Sequence, residues 1–299
     1  MAMHYRDSVI THGAHHAFDL SFYQNRLKFK DNLALSLEEE NELLVELASF
    51  EWGRFLLLNQ GLNGYWTAYA LLNGLKKEGL SRLERWMLHR APVIKATQER
   101  YAIFKQLLQS YVQDHRTFLS VPCGLMDDLL SLGYSNIQGY ALVGIDLDSA
   151  ALELAHENSL RYAVDNVSFI QANAWHLKRT HAYDVITSNG LNIYEPDHKK
   201  VVALYQQFYQ ALKPGGVLIT SFLTPPPQMS KESSWVNYNA QDVLKQKAIF
   251  TDIIETQWQV YRTEHQTHEQ LEQAGFCVQD ILYDAQGMFP TVLAKKIEP

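Results

Sequence analysis

The sequence has few cysteines, no surplus of positive charge and no long apolar run. Its two cysteines, Cys123 and Cys277, are too few and too far apart for a disulfide framework, which favours a reducing, cytoplasmic setting. Aspartate and glutamate number 33 against 26 lysines and arginines, and the net charge of −7 argues against a nucleic-acid partner. No apolar stretch reaches the roughly 18 residues that span a bilayer, and residues 1–30 contain no secretory apolar core. We therefore expect neither a membrane nor a nucleic acid as partner.

What remains is the composition of a globular chain whose first part is helical. Hydrophobic residues make up 46% of the 299 residues, enough for a substantial core. Ser36 and Ser81 each begin a capping-box pattern, and Pro92 suits the first turn of a long helix. The cluster His12-Gly13-Ala14-His15-His16 has no cysteine or acid at ligand spacing, so we predict an N-terminal arm and no metal site. We assign residues 1–115 to an arm with a helical extension and residues 116–299 to an α/β domain.

From Thr117 onward, apolar strands alternate with amphipathic helices, as in a parallel sheet that is covered on both faces. The turn between the last two strands is so short that they must pair antiparallel, and Pro290 indicates a bulge or an edge position there. Residues 224–260 show little periodicity and predict a long loop, either a lid or a disordered segment. The fold class is therefore α/β, Rossmann-like, with a seven-stranded, mostly parallel sheet, an antiparallel terminal strand and a helical N-terminal extension. The predicted strands cover residues 118–121, 140–145, 167–170, 183–187, 217–223, 276–282 and 288–294.

The segment 117–148 predicts a strand, a turn centred on Gly124, a helix and a second strand that stops at Asp146. Nucleotide-binding α/β folds place a carboxylate about twenty residues past the first turn, where it accepts hydrogen bonds from ribose hydroxyls. The turn reads Pro122-Cys123-Gly124-Leu125-Met126 and lacks most of the G-x-G-x-x-G pattern. An ordinary βαβ unit that binds nothing, with Asp146 as a helix cap, has the same outline. Both interpretations stay open at this point.

Four segments together resemble the class I S-adenosylmethionine-dependent methyltransferases. Residues 118–124 stand where that family has its first Gly-rich loop, and Asn173-Ala174 stands where an Asp-Ala pair follows the third strand. Residues 212–218, with the helix-terminating turn Lys213-Pro214-Gly215-Gly216, match the turn before the fifth strand closely. The remaining match is Gly144-Ile145-Asp146-Leu147-Asp148, the acidic motif of the second strand.

The resemblance implies S-adenosylmethionine as cofactor and a set of contacts to it. Asp146 would hold the ribose diol, Leu147 would pack on the adenine, and Asn173 and Ala174 would lie beside that ring. The end of the fourth strand would lie under the methyl donor. The implied cofactor-binding residues are Ser120, Pro122, Cys123, Gly124, Asp146, Leu147, Asn173, Ala174, Ser188, Asn189 and Gly190.

The chain also departs from the family pattern. Ser120 stands in place of an acidic residue, and Pro122 and Met126 replace glycines. We expect the bulk of Met126 to restrict the approach of the backbone to the methionine end of the cofactor, because glycine is what permits close contact. Arg100, ahead of the first strand, is a further candidate for binding the carboxylate of the cofactor; the alternative is a solvated helix face.

Methyl transfer is an in-line displacement, so most of the catalysis comes from holding donor and acceptor in position. Behind the fourth strand we assign Tyr194 as a contact to the acceptor and His198 as the base. Glu195 and Asp197 are assigned to the start of the next helix. Aromatic residues of the extension and of the 224–260 segment are available for an apolar acceptor: Tyr65, Trp66, Tyr69, Trp235 and Tyr238.

Three functions are compatible with the sequence. The first is a methyltransferase that acts on a small molecule. The second is a protein that keeps the methyltransferase fold without catalysis and acts through protein interactions. The third is an NAD-dependent oxidoreductase, which the missing G-x-G-x-x-G pattern argues against. The sequence also leaves a homodimer open.

Overall fold

The computed structural model describes residues 18–297, so the predicted arm with the histidine cluster at 12–16 lies outside the described residues. Seven strands form one sheet in the order β3-β2-β1-β4-β5-β7-β6. β1 to β5 are parallel, and β7 runs antiparallel to both β5 and β6. This confirms the predicted fold class. The strands are β1 Thr117–Ser120, β2 Ala141–Asp146, β3 Val167–Gln171, β4 Tyr183–Ser188, β5 Leu212–Ser221, β6 Phe276–Leu282 and β7 Thr291–Lys296.

Eleven α-helices are present in residues 18–297, and the predicted caps at Ser36 and Ser81 and the proline at the start of the sixth helix are confirmed. None of these helices is long and apolar enough to cross a membrane. The helices are α1 Leu20–Lys28, α2 Leu37–Ala48, α3 Glu51–Asn59, α4 Gly64–Ala68, α5 Arg82–His89, α6 Pro92–Gln109, α7 Asp127–Leu130, α8 Ser149–Arg161, α9 His198–Ala211, α10 Ala240–Lys247 and α11 Glu264–Gln273.

Helices cover both faces of the sheet. On one face, α9 and α11 bury Phe208 and Leu271 against the apolar strand residues. On the other face, α7, α8 and the second half of α6 cover Phe118 of β1, with Phe104 of α6 fully buried there. Burial of each such large side chain contributes about 1.5–3 kcal/mol. α6 thus belongs to the sheet layer through its second half, although it precedes β1.

A third hydrophobic core lies inside a helical cap. We define the cap as residues 18–96 together with residues 223–258. Its centre is the fully buried Trp52, surrounded by leucines of α2, α3 and α5. Residues 223–258 return to this core with Trp235, Phe250 and Trp258. The cap is therefore built from two segments that lie far apart in sequence.

The structure corrects the prediction of a structureless loop over residues 224–260. That segment contains α10 and a π-helical turn, Ala248–Ile253, which are buried against the cap. The signal was present, because Val243, Ile249, Phe250, Ile253 and Ile254 recur at helical spacing and are buried together.

Two strand predictions also need correction. β5 begins at Leu212, directly after α9, so the predicted helix-terminating turn is already part of the strand, and the pairing with β4 shifts register near Tyr183. Gly216 permits this, because a Cβ there would lie 2.9 Å from the carbonyl oxygen of Lys213. Pro290 precedes β7 rather than lying inside it, and β7 is an inner strand, so Pro290 marks neither an edge strand nor a bulge.

Candidate cofactor cleft and active site

A cleft of about 290 Å³ lies at the carboxyl ends of β1, β2 and β4. Its floor is formed by the segments that follow these strands, among them Gly124, Asp146 and Asn189. Its roof is formed by α4, with Gly64, and by α6, with Arg100. Ligands of open α/β sheets bind at this edge, so the cleft is the candidate functional site.

The loop after β1 is held from below and from above. From below, the Gly124 amide donates to Oδ2 of Asp146 (2.9 Å) and the Cys123 amide donates to the carbonyl of Ile145 (2.8 Å). From above, Gly64 of α4 lies so close that a Cβ on it would be 2.9 Å from the Cα of Gly124. The cap therefore touches the loop directly, and only glycine fits at position 64.

Asp146 lies at the centre of the cleft. Its two carboxylate oxygens accept from the amides of Gly124 (2.9 Å) and Asp148 (3.0 Å). Burial raises the pKa of this carboxyl, and the two amides oppose the rise. Each oxygen of a carboxylate can accept a second hydrogen bond, so Asp146 retains the capacity to bind a pair of hydroxyl groups.

The end of the cleft beside β2 and β3 is open. Leu147 is 66% exposed, although it is a large apolar residue. Asn173 is exposed, and its side chain accepts from the amide of Trp175 (2.9 Å), while Ala174 is buried in the core. The amide of Ala172 donates to the backbone oxygen of Asp146 (3.0 Å), which brings the start of this loop next to the cleft. Leu147, Asn173 and Ala174 flank the cleft and are not part of its lining.

The expectation that Met126 obstructs the loop is wrong. The side chain is only 1% exposed, and a Cβ on Gly144 of β2 would lie 3.1 Å from its sulfur and 3.0 Å from that of Cys123. Both side chains thus pack down onto β2, where a glycine leaves room for them. Burial also raises the pKa of the Cys123 thiol, which keeps it protonated and unreactive.

The end of the cleft beside β4 and β5 contains polar groups. Ser188 is buried, and Oδ1 of Asn189 accepts from the hydroxyl of Ser221 (3.3 Å). Gly190 has a φ of 89°, which turns the chain toward Tyr194. The side chain of Tyr194 is 43% exposed, yet desolvation raises its pKa to about 12, an effect that the charge of Arg100 opposes. Tyr194 therefore holds its proton at neutral pH and can donate it in a hydrogen bond.

Arg100 is buried at the same end, with 7% exposure. Its Nη1 donates weakly to the hydroxyl of Ser221 (3.4 Å), and its guanidinium lies 4.4 Å from the ring centroid of Phe289. Its Nε has no hydrogen-bond partner within residues 18–297. Burial lowers its pKa to about 10, so it remains a cation at neutral pH. Arg100 is thus not a solvated helix residue, and its contact with the carboxylate of the cofactor stays a prediction.

The structure places His198 away from the cleft. It begins α9, and its ring faces α11. In the tautomer that carries the proton on Nε2, this nitrogen donates to the side-chain oxygen of Gln273 (3.3 Å), and Nδ1 accepts from the side-chain amide of Gln270 (3.2 Å). The ring therefore has a structural explanation and no path to the cleft. Asp197 caps α9, as predicted.

The aromatic residues that we predicted for the acceptor are not in the cleft. Trp66, Tyr69 and Trp235 are buried in the core of the cap, and Tyr65 and Tyr238 pack against it. Trp235 also lines a separate apolar cavity of about 720 Å³, which shares no lining residue with the cleft. These aromatic side chains build the cap instead of receiving a ligand at the cleft.

Sequence reasoning gave no site role to three acids that line the cleft: Asp127, Asp128 and Asp148. Asp128, in the first turn of α7, accepts from the hydroxyl of Ser120 (3.2 Å to Oδ2), and burial raises its pKa to about 6. The neighbouring Asp127 instead accepts from Asn158 and from Tyr162 (both 3.1 Å). The signal was an acid at the start of the helix after the loop, eight residues beyond the position where the family has one.

Comparison with protein families gives a match of residues 113–275 to the family described as "Methyltransferase domain". The chain belongs to the class I S-adenosylmethionine-dependent methyltransferases. The cofactor of this methyltransferase is accordingly S-adenosylmethionine, and the oxidoreductase reading is set aside.

Two solved structures are similar to this chain in fold. A Bordetella parapertussis chain described as a "possible exported protein" is 41% identical, with a TM-score of 0.89, over 93% of this methyltransferase and 94% of that chain. A Nostoc punctiforme PCC 73102 chain described as a "putative O-methyltransferase" is 16% identical, with a TM-score of 0.53, over 84% and 71% of the two chains, which shows a shared fold. No curated protein matches.

The residues of the cleft fit S-adenosylmethionine. Asp146 has free acceptor capacity for the ribose hydroxyls, and the exposed Leu147 offers an apolar surface for adenine at the open end. The amino-acid end of the cofactor carries an ammonium and a carboxylate. The roofed end of the cleft contains an acid, Asp128, and a cation, Arg100. Each part of the cofactor thus finds a chemically suitable group.

Proposed function

We propose that this methyltransferase transfers a methyl group from S-adenosylmethionine to a small-molecule acceptor that docks beside Tyr194 and Asn189. The observation that supports the proposal is that α4 and α6 cover the cleft from above. α4 lies on the loop after β1, with Gly64 against Gly124, and α6 closes the other side. A cleft of about 290 Å³ that is roofed beside the loop after β1 favours a small acceptor over a folded protein surface or a duplex.

In this proposal each group at the acceptor end has a separate role. The bound cofactor supplies an electrophilic methyl group on a sulfonium, and the chain supplies alignment. Asn189 is held by Ser221 and presents its amide, while Tyr194 keeps its proton and donates a hydrogen bond to the acceptor. Asp146 fixes the ribose and thereby the position of the donor.

No residue in the described lining of the acceptor end titrates near neutral pH. Tyr194 titrates at about 12, Arg100 at about 10, and His198 lies elsewhere. We therefore omit His198 as the base and propose an acceptor atom that is already nucleophilic in its neutral form, such as an unprotonated amine, or one that loses its proton to water.

Two further parts of the proposal concern the setting. Both cysteines are free thiols, as expected for a chain without a disulfide framework, and we keep the reducing cytoplasm as a prediction. The homodimer also stays a prediction, which sedimentation analysis of the purified chain would test.

Titration calorimetry with S-adenosylmethionine and S-adenosylhomocysteine tests the proposal. Asp146→Ala is expected to weaken both by about 100-fold, because it removes charge-assisted hydrogen bonds to two hydroxyls. Asp197→Ala removes a carboxylate that caps α9 and does not line the cleft. This variant is expected to bind S-adenosylmethionine and S-adenosylhomocysteine with wild-type affinity. A panel of small amines, thiols and hydroxy compounds, assayed for formation of S-adenosylhomocysteine, then identifies the acceptor class.

Two results would contradict the proposal. If the wild-type chain binds neither compound at millimolar concentration, the non-catalytic interaction role becomes the better account. If Asp146→Ala retains full affinity, the cofactor lies elsewhere in the molecule.

A further inference from the structure

The family position for an acid at the end of β1 is occupied by Ser120, yet a carboxylate is still present there. Asp128 reaches back to the strand end, and its two oxygens lie 3.2 and 3.4 Å from the Ser120 hydroxyl. α7 begins directly after the loop, so its first turn brings this side chain over β1. The serine hydroxyl donates to the carboxylate and fixes its position.

Asp128 has no cationic partner in the described part of the chain. The hydroxyl of Ser120 and the amide of Leu129 stabilise its charge only in part, and desolvation outweighs them, which raises its pKa to about 6. At neutral pH most of the carboxyl is ionised. A largely desolvated anion without a counter-ion is costly, and a positively charged ligand group would offset that cost.

Arg100 is a buried cation that forms no ion pair within residues 18–297. Its Nε has no hydrogen-bond partner there either. Asp284 contributes an attraction, but its carboxylate is already engaged by three backbone amides, those of Gln286, Met288 and Phe289 at 3.0, 3.3 and 2.6 Å. The guanidinium can therefore still bind an anion with its free donors.

The two charges lie on neighbouring strand ends of one cleft. Ser120 pairs with Thr187 of β4, so Asp128 lies over the β1–β4 edge. Ser221 ends β5 and bonds Asn189, so Arg100 lies over the β4–β5 edge. Adjacent strands are about 4.8 Å apart. The cleft thus presents a carboxylate over one strand edge and a guanidinium over the next, and the ammonium and carboxylate of an α-amino acid would complement the two.

We propose that Asp128 and Arg100 form a two-sided clamp for the amino-acid end of the cofactor, with Asp128 binding the ammonium and Arg100 the carboxylate. Asp128 thereby replaces the acid that is missing at Ser120. This inference rests on the proposed function, because it assumes that the cleft binds S-adenosylmethionine. It assigns a ligand group to the buried Arg100 and to the half-buried Asp128, neither of which forms an ion pair within residues 18–297.

Three ligands that share the adenosine part separate the two contacts. S-Adenosylhomocysteine carries both charges of the amino-acid end. Decarboxylated S-adenosylmethionine keeps the ammonium of that end, together with a sulfonium that the other two ligands lack, and 5′-methylthioadenosine has neither charge of the amino-acid end. Each is titrated calorimetrically into the wild-type chain, Asp128→Asn, Arg100→Gln and the control Asp197→Asn, whose carboxylate caps α9 outside the cleft lining. The ratio of variant to wild-type Kd is compared ligand by ligand.

The clamp predicts a distinct pattern for each variant. Asp128→Asn weakens S-adenosylhomocysteine and decarboxylated S-adenosylmethionine by about tenfold or more and leaves 5′-methylthioadenosine unchanged, since one charge-assisted hydrogen bond is lost. Arg100→Gln weakens only S-adenosylhomocysteine. Asp197→Asn changes none of the three, because Asp197 caps α9 and does not line the cleft.

Other patterns overturn the clamp. An equal loss for all three ligands in Asp128→Asn means a disturbed loop and no contact to the ammonium. Unchanged affinity of S-adenosylhomocysteine in Arg100→Gln assigns Arg100 to the acceptor instead. Binding of 5′-methylthioadenosine by each variant shows that the fold and the adenosine site are intact. A wild-type chain that binds none of the three ligands contradicts the proposed function itself, which is a different outcome from a failed clamp.

Discussion

The two ends of the cleft differ in how much protein surrounds them. At the end of β1 the cap lies directly on the loop, Arg100 is buried and Asp128 is half-buried. At the end of β2 no residue within 18–297 covers Leu147, which is 66% exposed, and Asn173 is exposed as well. At the covered end Ser120, Pro122 and Met126 depart from the family pattern, whereas the open end keeps Asp146 and differs at Asn173. The covered end is thus the part of the cleft where contacts with the cap accompany an altered loop.

A physical reason connects the roof to the altered loop. Glycines in a cofactor loop allow a ligand to approach the backbone closely. Here the side chain of Met126, which stands in place of a glycine, turns down onto Gly144 together with that of Cys123, so its bulk is placed under the loop. Glycine instead permits a close approach between two backbone segments, at Gly64 of the cap and Gly124 of the loop.

The largest effect is expected from breaking that contact. Gly64→Val would place side-chain atoms within about 3 Å of the Gly124 backbone, so either the loop or α4 must move. We expect a loss of about 3 kcal/mol in the free energy of unfolding and at least tenfold weaker binding of S-adenosylhomocysteine. Thermal unfolding and calorimetry measure the two effects.

Gly61→Val is the matched control for this variant. A Cβ at position 61 would meet only the carbonyl oxygen of Asn59, at 3.6 Å, which is an ordinary contact. If both variants bind the ligand with wild-type affinity, the cap does not shape the covered end and the comparison fails.

The sheet and the open end could be predicted from the sequence because their signals are local. Each of the seven strands is an apolar run bounded by turn residues, and Asp146 is recognised by its distance from one turn. The observed boundaries of β5 and β7 differ from the predicted ones. Backbone pairing with a neighbouring strand, and not apolar character, determines where a strand begins.

The covered end depends on contacts between distant residues, and these leave no local pattern. Nothing in the sequence around Arg100 indicates that Ser221 and Phe289 enclose it. Trp66 and Trp235 pack in the cap core, and composition alone cannot tell such a core from a surface available to an acceptor. Asp128 does have a local signal, because it is an acid in the first turn of the helix that follows the loop.

A second, intermediate effect concerns the stability of the ligand-free protein. The folded-state pKa of Asp128 lies above its usual range, so the folded chain binds the proton more tightly than the unfolded chain. Its contribution to stability is therefore complete below about pH 4 and is lost as the pH rises through about 6, with an upper limit of about 3 kcal/mol. Asp128→Asn removes this loss, and we expect the ligand-free variant to have a Tm about 2–4 °C above that of the wild type at pH 7.5.

The pH dependence of Tm checks this expectation. Cys123, Tyr101 and Tyr134 surround Asp128, but their pKa values are all raised by burial and they do not titrate below pH 8. The difference in Tm between wild type and Asp128→Asn should therefore shrink between pH 7.5 and pH 5. A lower Tm of the variant at pH 7.5 would mean that Asp128 stabilises the fold and is not kept for a ligand.

The smallest effect is expected at the open end. Leu147→Ala removes an apolar side chain that is 66% exposed in the ligand-free protein, so Tm should stay within about 1 °C of the wild-type value. If adenine packs on this residue, the variant loses part of the apolar contact, which is worth about 1 kcal/mol or about fivefold in Kd. The loss should be equal for S-adenosylhomocysteine, decarboxylated S-adenosylmethionine and 5′-methylthioadenosine, because all three contain adenine.

Leu160→Ala is the control, since Leu160 is 67% exposed on α8 and does not line the cleft. An unequal loss among the three ligands in Leu147→Ala would show that Leu147 acts on the amino-acid end, and the two ends of the cleft would then not be independent. An equal loss, together with the ligand-selective losses of Asp128→Asn and Arg100→Gln, would mean that the open end binds the part of the cofactor common to all adenosine compounds. The covered end would then be the part of the cleft that distinguishes S-adenosylmethionine from other adenosine compounds.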